Sequence, residues 1–177
     1  MIRSSQRFAW LASACFLLLA GIQPGFGADA NSTLRAGAAK ANVTPPLGEM
    51  IVGGFKPFPA ENVHDDLHVR CLVLDDGETK IAFVICDSLG IARDVFDRAR
   101  GFIGAETDLP PENVLMAATH THSATRASEG WYQGFLARRI ADVVRLALNR
   151  LEPAKIGWGS ADEPSEVFNR RWYVSDS

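Results

Sequence analysis

The sequence has no apolar run long enough to span a bilayer: its longest, FAWLASACFLLLAGI at residues 8–22, is 15 residues, where a span needs about 20. It has no excess of positive charge either. Lys and Arg total 18 against 21 Asp and Glu, a net charge of −3, and they are scattered rather than clustered, which excludes a nucleic-acid-binding surface. No GxSxG turn occurs, which removes serine hydrolases of that type, and no glycine spacing fits a phosphate-cradling loop. Repeats and low-complexity tracts are absent. What remains, 47% hydrophobic and 22% charged residues in a chain of 177, is a globular composition sized for one domain.

The short apolar run has the grammar of a leader. Arg3 and Arg7 precede it, and Pro24 with Gly25, Gly27, Ala28 and Ala30 follows, giving a charged start, an apolar middle and a small-residue cleavage zone. Residues 1–30 are therefore expected to be a secretory signal peptide cleaved after Ala30, and the mature chain to be secreted or periplasmic. Cysteine is scarce, and cleavage would leave only Cys71 and Cys86. In HVRCLVLDDGETKIAFVICD a hairpin pairing Leu74 with Thr79 puts Cys71 opposite Ala82 and Cys86 opposite Leu67. That is beyond bridging distance, so both cysteines are expected to be small buried apolar residues.

The mature chain reads as α/β. Arg35 to Val43 is strand-like until Pro45 and Pro46, and Gly48, Gly53 and Gly54 make the next segment a loop. IAFVICD is a continuous apolar run, as in a central strand covered on both faces. Val95, Phe96, Ala99, Phe102 and Ile103 then fall at helical spacing, with Gly104 as a stop. After LPPEN, Val114 to Ala118 is a second apolar strand. Strand, helix and strand in this order form a crossover unit with parallel strands. A longer helix from about Tyr132 to Leu151 buries Leu136, Ile140, Val143, Val144, Ala147 and Leu151. Its arginines form a solvated face, with Arg138 and Asp142 at ion-pair spacing. AKIGWGSA is a further short strand. The fold class is a mixed sheet with one parallel strand-helix-strand unit and one antiparallel hairpin.

Only four histidines occur, and two of them, His120 and His122, stand in NVLMAATHTHSAT. Ligands bind beyond the carboxyl ends of parallel strands, where Asp87, Thr119, His120, Thr121, His122 and Ser123 fall. On an extended chain His120 and His122 point to one side, with Thr119 and Thr121 on the other. Two imidazoles on one side can share a metal, and a catalytic zinc takes three protein ligands and an open position. Asp87 or Ser88 could instead start the following helix. The other pair, His64 and His68 in HDDLH, imitates the helical HExxH pattern. It lies on a predicted strand, where four residues span about 13 Å, too far for one ion.

In order along the chain, AGAAKANVTPPLGEMIVGG, HDDLHVRCLVLDDGETKIAFVICDSLG, NVLMAATHTHSAT and FNRR resemble the amino-terminal part of the neutral/alkaline non-lysosomal ceramidases and their bacterial relatives. The resemblance implies that residues 31–177 are the amino-terminal part of a zinc-dependent catalytic domain that hydrolyses the N-acyl bond of ceramide or a related lipid amide, meeting a membrane only through its substrate. It implies His120 as a zinc ligand and His122 as a catalytic group near substrate. Asp87 and Ser123 stand where they can contact substrate or support the site. Ala124 and Thr125 replace the Gly-Pro that usually follows THTHS, so the substrate-facing loop differs. The other implied zinc ligands, a histidine, a glutamate and a tyrosine, lie downstream of Ser177, so this chain alone is expected to be inactive. An exported, non-catalytic binding module on the same scaffold is the alternative.

Overall fold

The computed structural model describes residues 33–127 and 130–167. The predicted leader and the FNRR segment lie outside these residues. One five-stranded sheet organises the chain, in the order β6-β5-β4-β1-β7, where β1 is Arg35–Asn42, β4 His68–Asp75, β5 Lys80–Cys86, β6 Val114–Ala118 and β7 Glu152–Pro153. Among the described strands only β5 and β6 pair in parallel; β1–β4, β4–β5 and β1–β7 are antiparallel. A separate ribbon joins β2, Met50–Ile51, to β3, Phe58–Pro59. The mixed sheet, the parallel crossover and the antiparallel hairpin are thus as the sequence indicates. Among the described residues no helix is long and apolar enough to cross a membrane.

The hairpin register differs from the expected one. Leu74 pairs with Ile81, and Cys71 with Val84, because the turn is centred one residue later. Asp76 Oδ1 accepts from the Glu78 and Thr79 amides at 3.0 and 2.8 Å, and Gly77 takes a positive φ of 93°, closing the turn over residues 76–79. Asp75 therefore stays in the strand, opposite Lys80. The displacement is two residues in pairing, which preserves faces. Cys71 and Cys86 are free and buried, as the sequence suggests.

Two helices cover one face of the sheet. α1, Arg93–Glu106, and α2, Gly130–Leu148, share a core with Val69, Cys71, Val73, Ala82, Val84, Cys86 and Val114. Their buried faces are Val95, Ala99 and Ile103 on α1 and Leu136, Ile140, Val143, Val144 and Ala147 on α2. β1 lies tightly under α2: a Cβ on Gly37 would stand 2.1 Å from the Ala147 carbonyl oxygen. Arg138 links the helices, donating to both Glu106 oxygens at 2.6 and 2.8 Å and pairing with Asp142 at 3.1 Å.

Four expectations are corrected. IAFVICD is not covered on both faces: with both helices in one layer, its residues alternate, and Phe83 and Ile85 are 38% and 36% exposed. Leu72, Phe83 and Leu115 form a cross-strand row on that open face. Gly104 does not stop α1, which runs to Glu106 and ends where Thr107 donates through both N and Oγ1 to the Ile103 carbonyl. Neither Asp87 nor Ser88 starts α1, whose cap position is Ala92. AKIGWGSA is not a strand; the edge pairing stops at Pro153, with one further bond from Ala154 N to Leu34 O, and the exposed Ile156 and Trp158 that follow have no core to enter.

Candidate functional site

The parallel strands β5 and β6 finish at one edge of the sheet, Cys86 opposite Ala118. Asp87 and Thr119 follow directly, and Thr119 N donates to Cys86 O at 2.9 Å. One residue later the ladder ends. His120 has φ 61°, a left-handed conformation uncommon for a side-chain-bearing residue and held only by surrounding structure. The two imidazoles therefore meet through a bend, not through strand alternation. Their Nε2 atoms are 3.4 Å apart, with ring centroids 5.0 Å apart and planes at 76°.

The bend has visible supports. His120 Nδ1 is 2.8 Å from the Leu89 carbonyl oxygen. A carbonyl can only accept, so Nδ1 carries the hydrogen and the neutral ring presents its lone pair at Nε2. Buried Ser88 donates through Oγ to Thr125 O and Gly90 O, both at 3.1 Å. Ala92 N donates to Ala127 O at 3.3 Å and Val52 N to Ala124 O at 3.1 Å. The histidine loop is thus tied on one side to the β5–α1 connection and on the other to the β2 arm.

A groove of about 470 Å³ opens beside this loop, its lining including Thr44, Glu49, Ile51, His64, Thr121 and Ser123. Ser123 is exposed at its edge. Asp87 sits at the same sheet edge, but its carboxylate bonds run into β4: Oδ2 accepts from Arg70 Nη1 at 2.7 Å and from His68 N at 2.9 Å. The HDDLH histidines do not converge: His64 is bonded to Asp65, and His68 Nδ1 donates to Asp66 O at 3.0 Å. Among the described residues no group of three or more His, Cys, Asp and Glu could hold a metal. Sequence reasoning missed Ser88, Leu89 and Gly53 as supports of the histidine loop. The glycine pair Gly53-Gly54 was the one signal available, since adjacent glycines mark places of close approach or unusual backbone.

This arrangement is a ceramidase-like α/β fold. No family model matches the chain. Among solved structures it is similar to neutral ceramidase from Pseudomonas aeruginosa, at TM-score 0.62 and 21% identity over 70% of this chain. It is likewise similar to a ceramidase complexed with C2, at TM-score 0.60 and 21% identity over 70%. The match spans 22% of the length of each of those chains.

Proposed function

We propose that this chain carries the histidine-bearing part of an exported, zinc-dependent amide hydrolase of the ceramidase type, cleaving the N-acyl bond of ceramide or a related lipid amide. The observation that carries the reading is the convergence of His120 and His122 at Nε2, 3.4 Å apart at the carboxyl edge of the parallel strands, on a ceramidase-like fold.

The donor chemistry fits zinc in part. Metal-ligating imidazoles characteristically donate their other nitrogen to a carbonyl, which fixes tautomer and orientation, and His120 does so to Leu89. His120 is the residue that would hold the ion. A catalytic zinc takes three protein ligands, so further donors would come from outside the described residues. Bound there, zinc would supply Lewis-acid polarisation of an amide carbonyl. His122 has its Nε2 beside that position and would deliver a proton to the departing amine. Ser123, at the groove edge, would contact the polar end of the substrate. Asp87 would act from behind, holding the ends of β4 and β5 in register. The β2–β3 arm, whose Ile51 lines the groove, also exposes Met50, Phe55 and Phe58, an apolar surface suited to an acyl chain presented from a membrane.

The test is hydrolysis of N-acylsphingosine by protein that carries this chain together with those further donors, before and after chelation. Release of fatty acid that stops with chelator and returns with zinc is expected. Hydrolysis indifferent to chelation, or none of any N-acyl lipid by zinc-loaded protein, would overturn the reading.

A further inference from the structure

We infer that Gly53 is a positioning residue for His122: its missing side chain is the space in which the His122 imidazole stands, so the β2 arm sets where that ring lies against His120. This rests on the role proposed above for His122 but is read from packing alone. A Cβ built on Gly53 would lie 2.8 Å from His122 Cγ, 3.0 Å from its Cβ and 3.1 Å from its Cα, well inside the about 3.5–4.0 Å at which carbon atoms rest.

Relief by a small movement is blocked. The crowded atoms are the root of the side chain, not its tip, so the ring cannot yield by rotating an outer bond. Nor can the two backbones separate freely, because Val52 N donates to Ala124 O at 3.1 Å, just before Gly53 and just after His122. Thr125 is held in turn by buried Ser88. His120 cannot follow, since its Nδ1 is fixed to Leu89 O. Only displacement of the His122 ring, and loss of the 3.4 Å approach between the Nε2 atoms, accommodates a methyl group.

Gly53 also has a positive φ, 113°, so any side chain there is strained whatever the space. Two other glycines separate the effects. Gly48 has φ 94° with nothing within 4 Å of a built Cβ, and Gly54 meets only Lys56 O at 3.9 Å. Gly48→Ala therefore carries backbone strain without the contact, and Gly54→Ala carries neither.

The experiment is proton NMR of the chain and its three alanine variants, reading the nuclear Overhauser contact between the His120 and His122 rings with thermal stability beside it. The contact is expected in the parent chain, in Gly48→Ala and in Gly54→Ala, and is expected to be lost in Gly53→Ala while that variant melts close to Gly48→Ala. Retention of the ring contact in Gly53→Ala, its loss in Gly48→Ala to the same degree, or its absence from the parent chain would overturn the inference. Failure of the amidase reading alone would leave all these outcomes unchanged.

Discussion

Asp87 and Arg70 are joined across neighbouring strands, carboxylate Oδ2 to guanidinium Nη1 at 2.7 Å, and the same oxygen accepts the His68 amide at 2.9 Å. The strand-end carboxylate thus ties β4 to β5 beneath the histidine loop. Asp87→Ala leaves the His68 amide without this acceptor and should cost about 1–3 kcal/mol. Arg70→Ala, with its side chain half exposed, should cost under about 1 kcal/mol. Urea unfolding of both variants checks the ranking, and equal losses would show that the ion pair, not the backbone bond, is what matters.

Burial pushes the thiols of Cys71 and Cys86 up to about 12, with the charge of Asp87 adding to the effect on Cys86. The folded chain keeps both protonated at pH values where the unfolded chain ionises them, from about 8.5. This contribution is whole below that pH and is lost as pH rises toward about 12, at about 1.4 kcal/mol per thiol per pH unit. The urea midpoint should fall more steeply between pH 8.5 and 11 in the parent than in Cys71→Ala/Cys86→Ala. Equal slopes would place the thiols in contact with water.

The open sheet face makes a contrast within neighbouring strands. Val84 is wholly buried, whereas Leu115, on the uncovered side, is 55% exposed. Val84→Ala should cost about 2 kcal/mol or more through lost contacts and a cavity, and Leu115→Thr, which keeps a strand-compatible side chain, under about 1 kcal/mol. Chemical denaturation decides it: a larger loss at Leu115 would mean that this face is covered in solution.

Much of the frame was legible because it depends on short-range pattern. Val95, Ala99 and Ile103 repeat at helical spacing, VLMAA is a short apolar run after a proline turn, and together with IAFVIC they suffice for the parallel crossover. What covers a strand is a different matter: Phe83 and Ile85 are apolar enough to be buried, and only the placement of α1 and α2 in one layer leaves them open. The register is displaced because Asp76 collects the Glu78 and Thr79 amides while Asp75, still paired in the strand, takes that of Gly77. At the site, the two histidines could be picked out as a pair, but their approach is built by partners far along the chain: Leu89 fixes the His120 ring, Ser88 anchors Thr125, and Gly53 makes room for His122. None of these contacts has a spacing that a linear reading can see.

In the proposed reading the two rings differ in role, His120 holding zinc and His122 serving the reaction beside it, and of the two only His120 has its far nitrogen fixed by a carbonyl. Zinc stoichiometry of purified protein that carries this chain together with the further zinc donors, measured for His120→Ala and His122→Ala side by side, separates these roles. His120→Ala should lose most of its zinc, because removing one of few ligands reopens the coordination shell. His122→Ala should keep zinc near the parent level while turnover falls by about 100-fold or more. Equal zinc loss in the two variants would make both rings ligands, and full retention of zinc in His120→Ala would contradict the account outright.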